Sequence, residues 1–507
     1  MERLRNLPDW IIVCVWFILA LLIFYSGHLY SNDTVSKIES ARNLLTKDSF
    51  EVSGYHGAWG IPVESGKTYP HFSLGSILMM LPPVLVYEIV SQITGAPLPE
   101  FVQSVFVSGC NLLYTALSGS FIFILLFRLG KSKRDAFIFA AVAVFCSEML
   151  QYSSTGWNEP AALCWGLLGF TILATGRNKV SSVRPWILWA ACSFFASLIR
   201  IEFIVFFLSF LFVDILQNKR EWKRYILPLI IIGSVIFAHI WFNYYRFGSP
   251  FNFGYFGRSA GKSASILVSG SSSIRDLFHR FFAGSYLITV YRTHISFGRV
   301  HWFWVCPLLL LLPPALFLRK FPPLILQMLI AAGIMQLVIV AMGANSWCWA
   351  NRYLYTTFLF LLLPVFYIPF ENKKLFTAFK IMCIIGFAVS LLSTLVNYHH
   401  VQEILVNRYG YAKAMWDNSN TLFSAPVWLH AELFPGQLVN TVRLIFAGNN
   451  LPEWESLRTE CFDIWPVGMC GAGVNSFVAF GLWILLLSVV IFFIRCVVIP
   501  RYLNEQG

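Results

Sequence analysis

The sequence is poor in charge. Only 12% of its 507 residues are Asp, Glu, Lys or Arg, whereas 57% are hydrophobic. A soluble domain typically carries about 25% charged residues, so this chain lacks the charge to cover a water-exposed surface of its size. Apolar runs of roughly 20 residues, the length at which a helix crosses a bilayer, recur along it. The composition excludes an ordinary soluble protein and predicts an all-α polytopic membrane protein.

Two motifs are also missing. No CxxC pair occurs among the 11 cysteines, which removes the usual zinc and redox patterns. No Ala-x-Ala-like site follows the first apolar run, although Arg3 and Arg5 precede it, so we expect an uncleaved signal anchor with a cytoplasmic N-terminus. The formal charge of +12 does not indicate a nucleic-acid partner, because the basic residues lie in short clusters between apolar runs.

These basic clusters set the predicted topology. Loops rich in Lys and Arg alternate with polar, aromatic loops, and basic loops collect in the cytoplasm. The polar loops 31–100, 151–159, 244–299, 343–353 and 397–475 are therefore predicted outside it. About 12 transmembrane helices are expected, over 10–30, 101–127, 136–150, 160–175, 185–199, 203–216, 225–243, 300–318, 324–342, 354–370, 378–396 and 476–494.

Two segments of the first outer loop are predicted to be interfacial helices. Residues 72–94 are long enough to span, but a crossing would move every later basic cluster outside, and Glu88 disfavours a lipid-facing helix. Residues 33–46 are amphipathic, with Ile38 on the apolar face and Lys37 off it. The expected organisation is a signal-anchor span (1–30), an outer loop (31–100), a transmembrane core (101–396), an outer loop or small domain (397–475), and a last span with a cytoplasmic tail (476–507).

An acidic residue stands at the outer mouth of the first span. Asp33 could act as a general base, taking the proton from an attacking acceptor hydroxyl. Asp is also a favoured helix N-cap, a role that Asn32 could share. On the residues alone the two interpretations have equal support.

Cationic candidates lie on the same predicted face. Lys67 and His71 could donate to an anionic leaving group, or their segment is a loop that turns before an interfacial helix. Arg246 and Arg352 flank outer ends of spans. Guanidinium binds phosphate bidentately, whereas a boundary arginine can also snorkel to lipid headgroups.

Three further residues are candidates for substrate contacts. Glu159 opens a span and could bind a sugar hydroxyl or a metal, although an acid followed by proline also fits a helix start. Tyr69 and Tyr255 could contribute to a sugar- or lipid-binding wall, or to the aromatic belt of the membrane interface. Arg200 and Glu202, between two short apolar runs, are interpreted as an internal salt bridge.

Two cysteines lie in a polar outer loop. Cys461 and Cys470 are separated by a stretch with Pro466 and Gly468, which favour a turn. Because the loop is predicted on the oxidising side, we expect a disulfide. The alternative is two unpaired thiols.

Five short motifs lie on the predicted outer face: Asn32-Asp33, Tyr69–Gly75, Glu159-Pro160, Asn243–Pro250 and Arg352-Tyr353-Leu354. Together they resemble the GT-C-fold membrane glycosyltransferases, the group that includes protein O-mannosyltransferases and lipid A aminoarabinose transferases. The resemblance covers most of residues 1–370. It departs from the family where Asn32 precedes Asp33 in place of a second acid and where Pro70-His71-Phe72 replaces Pro-Pro-Leu.

The resemblance implies a GT-C-like fold that transfers a sugar, with inversion, from a polyprenyl-phosphate donor. The acceptor would be a glycan, lipid or protein outside the cytoplasm, and the location a bacterial inner membrane. Asp33 would deprotonate the acceptor, and Arg352, with Arg246 or Lys67, would bind the donor phosphate. The resemblance implies no definite cofactor, and it leaves open whether a divalent cation takes part. A transporter or flippase of a lipid-linked sugar and a noncatalytic scaffold are the alternatives.

Overall fold

A computed structural model shows a helical chain with one short β-hairpin in its described part. It describes residues 7–29, 32–53, 60–63, 65–70, 72–95, 100–176, 183–250, 306–318, 321–341, 352–396, 404, 427–447, 460–471 and 473–503. The helices are α1 (Asp9–Leu22), α2 (Asn32–Lys47), α3 (Leu74–Leu78), α4 (Leu81–Thr94), α5 (Glu100–Arg128), α6 (Lys133–Phe145), α7 (Met149–Tyr152), α8 (Glu159–Gly176), α9 (Arg184–Ile199), α10 (Phe203–Gln217), α11 (Ile226–Phe247), α12 (Leu312–Leu318), α13 (Pro323–Ala341), α14 (Arg352–Leu362), α15 (Lys373–Leu395), α16 (Val427–Ala447), α17 (Trp465–Gly471) and α18 (Ser476–Phe493). Antiparallel strands β1 (Gly60–Pro62) and β2 (Thr68–Pro70) pair Ile61 with Tyr69.

Irregular helical turns join or extend several helices. Three are 3₁₀ segments, at Lys219–Tyr225, Pro307–Leu311 and Leu363–Tyr367, and a π-helical segment, Ile494–Leu503, follows α18. The predicted loop 397–475 is not loop throughout, because it contains α16 and α17.

Six helical stretches of the described residues are long and apolar enough to cross a membrane. The prediction of a helical chain with several membrane spans is therefore confirmed, whereas the number of about 12 spans stays a prediction. Several predicted spans are shorter as helices; the one expected over 136–150 ends at Phe145 and is followed by the separate turn α7. The six are Leu74–Thr94, Val102–Arg128, Glu159–Gly176, Trp222–Phe247, Lys373–Leu395 and Ser476–Leu503. The first of them is the segment predicted to be interfacial, and its position relative to the membrane stays a prediction.

Charged residues from the two ends of the chain meet at one end of the bundle. Arg501 Nε lies 2.6 Å from Asp9 Oδ1, and Lys133 Nζ lies 3.3 Å from Asp9 Oδ2. Tyr502 also donates its hydroxyl to the Asp9 carbonyl at 3.1 Å. The first helix and the π-helical segment after α18 therefore lie side by side, and the predicted cytoplasmic ends of the chain share one side.

Aromatic side chains fill the core between α8, α9, α10 and α14. Phe206 stacks on Phe360 with ring centroids 4.6 Å apart, and Phe170 meets Phe210 edge-on at 4.9 Å. Trp189, which is fully buried, packs against Phe210 at 5.3 Å. Such ring pairs add stability beyond that of the area they bury. These ring contacts pack the four helices against one another.

Candidate active site at the end opposite Asp9

Helix α2 carries Asp33 and begins on the loop before α8. The helix starts at Asn32, so Asp33 lies in its first turn. The next residue, Thr34, is fully buried and donates its Oγ1 hydrogen to the Gly156 carbonyl at 2.9 Å. A Cβ atom on Gly156 would lie 2.5 Å from Thr34 Cγ2, so this approach requires glycine. The start of α2 is thereby seated beside Glu159.

Lys37 is a buried residue that the amphipathic pattern did not predict. Only 3% of the residue is exposed, although the pattern assigned it away from the apolar face. Its ammonium lies 3.4 Å from Asn158 Oδ1 and 4.9 Å from the Phe72 ring centroid. A buried charge requires such partners. Lys37, one helical turn after Asp33, therefore ties α2 to both the loop before Glu159 and the segment around His71.

Arg246 fastens the segment around His71. It is 3% exposed and donates Nη1 hydrogens to the carbonyls of Pro70 and Phe72, the latter at 2.8 Å. Its Nη2 donates to Asn243 Oδ1 at 2.9 Å. The guanidinium is buried among these protein contacts, and its predicted contact with the donor phosphate stays a prediction. Arg246 is therefore a positioning residue for the two neighbours of His71.

The β-hairpin places two other candidates differently. Tyr69 is 5% exposed and packs with Phe50 and Phe242 in a hydrophobic cluster, so it is a core residue here and not part of an open substrate wall. Lys67 is exposed and pairs with the Glu51 carboxylate. This hydrogen bond raises the pKa of the Lys67 ammonium and lowers the pKa of the Glu51 carboxyl. Of the two, Lys67 remains accessible to a ligand.

Glu159 is the first residue of α8 and forms a buried ion pair. Its carboxylate lies 3.0 Å from Arg200 Nη1, and Glu159 is 1% exposed. Arg200 Nε also donates to Glu202 Oε1 at 2.6 Å, which confirms the predicted internal salt bridge. Removing one partner of a buried pair typically costs about 3–5 kcal/mol. The pair fixes the start of α8, and sequence reasoning did not connect Glu159 with Arg200.

Four buried polar atoms in the segments around Glu148, Trp157 and Tyr355 have no hydrogen-bond partner among the residues that the structure describes. They are Glu148 Oε2, Gln151 Oε1, Trp157 Nε1 and Tyr355 Oη. Glu148 and Glu159 both act electrostatically on Tyr355. An unsatisfied buried polar atom costs about 1–3 kcal/mol, so water or substrate hydroxyl groups are the natural partners for this set.

Stacked rings bring the start of α14 to the same place. Tyr355 stacks on Tyr152 at 4.5 Å, and Tyr152 packs on Trp157 at 5.0 Å. Arg352 begins α14, and its backbone therefore lies one helical turn from Tyr355. His71 and Tyr255 lie outside the described residues.

The described residues do not fit a metal ion. No group of three His, Cys, Asp or Glu side chains among them could hold one. The described residues therefore provide no site for the divalent cation that the sequence analysis left open.

Residues 460–471 pack against the C-terminal end of α1, the end that precedes Asp33 in the sequence. His28 Nδ1 lies 2.6 Å from Asp463 Oδ1, and Asp463 is 1% exposed. The Trp465 backbone N–H donates to the Tyr25 carbonyl at 2.7 Å, and its indole N–H to the Leu22 carbonyl at 3.1 Å. The sequence offered no signal for this contact, because it joins residues more than 430 positions apart.

The structure has Cys461 and Cys470 as thiols, and the disulfide between them stays a prediction. The expected turn is instead helix α17, with Pro466 in its first turn, where proline is tolerated. Both thiols are buried in one hydrophobic cluster with Phe462 and Phe480, and burial raises the pKa of each to about 11.

No family model matches the chain, and no curated protein matches it. Solved structures similar to it include the archaeal oligosaccharyltransferase AglB from Archaeoglobus fulgidus, in complex with an inhibitory peptide and a dolichol-phosphate. That similarity has 11% identity and a TM-score of 0.41, and covers 88% of this chain and 58% of the other. The Archaeoglobus fulgidus oligosaccharyltransferase in complex with Zn and sulfate is similar at 12% identity and a TM-score of 0.45, over 81% of this chain and 57% of the other. This chain thus spans less than three fifths of the length of those enzymes.

Proposed function

We propose that this chain is an integral membrane glycosyltransferase. It moves a hexosyl or pentosyl group from a polyprenyl-phosphate donor to a glycan, lipid or protein acceptor outside the cytoplasm, in a bacterial inner membrane. The solved oligosaccharyltransferases are described with a dolichol-phosphate or an acceptor peptide. The proposal for this chain is supported by its own residues.

The supporting observation is a convergence of four sequence motifs from distant parts of the chain. The Thr34–Gly156 hydrogen bond joins the motif of Asp33 to that of Glu159. Lys37 over the Phe72 ring adds the motif around His71, and Tyr355 stacked on Tyr152 adds the motif of Arg352. Scattered structural residues would not need to meet at one end of a bundle. A membrane-face reaction that joins a lipid-linked donor to a water-soluble or membrane acceptor needs this arrangement.

The reaction follows from the roles proposed for these groups. The acceptor hydroxyl oxygen attacks the anomeric carbon, and Asp33 takes the hydroxyl proton. The bond between the anomeric carbon and the phosphate oxygen breaks, and the polyprenyl phosphate leaves with the electron pair. Arg352 stabilises the charge that develops on the phosphate, together with Lys67, which is exposed and lies four positions before His71 in the sequence. One displacement gives inversion.

A transfer assay tests the proposal. Purified wild-type protein and Asp33→Asn are supplied with radiolabelled polyprenyl-phosphate sugars and acceptor extracts. Loss of the base should lower turnover by about 10²–10⁴-fold. Asp48→Asn is the matched control, because Asp48 is exposed just after the other end of α2.

The outcomes separate the alternatives. Donor binding without transfer by the wild-type protein, together with movement of the labelled lipid between leaflets of a vesicle, would establish a transporter or flippase. Turnover in Asp33→Asn equal to that in Asp48→Asn would remove Asp33 from the reaction.

A further inference from the structure

A cavity lies at the end of the bundle opposite the candidate active site. It has a volume of about 680 Å³ and lies between α1, α5, α8 and α9. Its walls are mostly apolar and include Phe123 and Ile124. Trp10, Phe127 and Leu188, which also line it, are 43%, 38% and 41% exposed. The cavity is therefore continuous with the apolar outer surface of the bundle, the surface that faces lipid in a membrane protein.

Two arginines stand at the polar end of this cavity. Arg128 ends α5 and Arg184 begins α9, and both are exposed. Neither forms an ion pair with any residue that the structure describes. The acid that lines the cavity, Asp9, is already neutralised by Arg501 and Lys133. The local charge is therefore positive, beside an apolar chamber.

We propose that this cavity binds an anionic phospholipid of the adjoining leaflet. The phosphate would lie between Arg128 and Arg184, since guanidinium pairs with phosphate oxygens, and the first part of an acyl chain would lie along Phe123 and Leu188. Basic pockets between membrane helices at the cytoplasmic side have this character. Phosphatidylcholine also carries a phosphate, but its choline cation offsets that charge and is repelled by the second guanidinium, so the site favours a headgroup with net negative charge. The proposal requires no transferase activity.

Native mass spectrometry of the full-length protein in detergent tests the site. The probes are phosphatidylglycerol and phosphatidylcholine with identical acyl chains, with inorganic phosphate as a third arm. We expect phosphatidylglycerol to bind more tightly, with affinity falling about fivefold in Arg128→Gln or Arg184→Gln and about 30-fold in the double variant. Arg134→Gln is the matched control, since Arg134 is an exposed arginine near the same end, in α6, and does not line the cavity.

A second variant separates the cavity from its charge. Leu188→Trp narrows the chamber but keeps both arginines, and the substitution is made at a residue that is 41% exposed. It should weaken phosphatidylglycerol binding, because the first part of the acyl chain loses space beside residue 188. Equal binding of both lipids by the wild type, equal losses in Arg134→Gln, unchanged binding in Leu188→Trp, or displacement of the lipid by inorganic phosphate would each overturn the proposal.

Discussion

The contact between Gly156 and Thr34 allows a steric test of how Asp33 is positioned. In Gly156→Ala the new Cβ atom would lie 2.5 Å from Thr34 Cγ2 and 2.9 Å from Thr34 Oγ1. Ordinary van der Waals contact begins at 3.4 Å, so the start of α2 must retreat by about 0.9 Å. Asp33 precedes Thr34 directly, and its backbone would move with it.

The size of the effect follows from that displacement. Overpacking a buried contact costs about 1–3 kcal/mol of folding stability. A misplacement near 1 Å can lower a catalysed rate about 10²-fold, because the reacting atoms lose their alignment. We therefore expect Gly156→Ala to lose about 10²-fold in transfer while the melting temperature falls by only a few degrees.

Relief of the clash should restore the activity. Thr34→Ala removes both Cγ2 and Oγ1, and the nearest remaining Thr34 atom, Cβ, would then lie 3.1 Å from the new methyl group. Thr34→Ala alone removes one hydrogen bond, which contributes about 1 kcal/mol. If this energy is lost wholly from the transition state, the rate of transfer falls about fivefold. The double variant should transfer sugar at close to the rate of Thr34→Ala.

The assay measures the transfer of radiolabelled sugar and the thermal unfolding of four proteins: the wild type, Gly156→Ala, Thr34→Ala and the double variant. Gly233→Ala is the control. A Cβ atom on Gly233, in the middle of α11, would meet no atom within 4 Å. If the double variant is as impaired as Gly156→Ala, the loss does not come from the Thr34 contact. Full activity in Gly156→Ala would show that the position of α2 is irrelevant to the reaction.

Three more predictions concern the same end of the molecule. Arg352→Ala should raise the KM for the donor more than that for the acceptor, and a defect confined to the acceptor would contradict its role. Arg246→Met should lower the unfolding temperature and kcat, since Arg246 holds backbone carbonyls; an effect on donor KM alone would favour phosphate binding. Cysteines introduced near Glu64 and near Glu100 should label from the same side of the membrane, because residues 72–94 are predicted not to cross; labelling from opposite sides would overturn the topology.

The sequence predicted elements that depend on local pattern. The helix over 33–46 exists as Asn32–Lys47, and the span over 160–175 as Glu159–Gly176. Hydrophobic length and charge are local properties, so they can be read along the chain. The burial of Lys37 could not be predicted in this way, because its partner Asn158 lies more than 120 positions away in the sequence.

Candidate residues were predicted by type more readily than by role. An arginine at a span boundary suits a phosphate, and only the fold reveals that Arg246 is occupied by backbone carbonyls. Likewise, Pro466 fits a turn or the first turn of a helix equally well, and packing of α17 on the end of α1 selects the helix. The fold decided the outcome wherever one residue type serves two purposes.

The pairing of Asp9 with Arg501 has a consequence for biosynthesis. Helix α1 is synthesised well before its partners near the other end of the sequence: Asp9 pairs with Lys133 and then with Arg501, and the carbonyls of Leu22 and Ile23 accept hydrogen bonds from tryptophans after position 460. At roughly 5–20 residues per second, α1 waits about half a minute or longer for these partners. A chain that stops before the last helix keeps the Lys133 contact of Asp9 but lacks Arg501 and the Trp483 indole donor to the Ile23 carbonyl, so we expect the truncated product to unfold more easily and to be degraded.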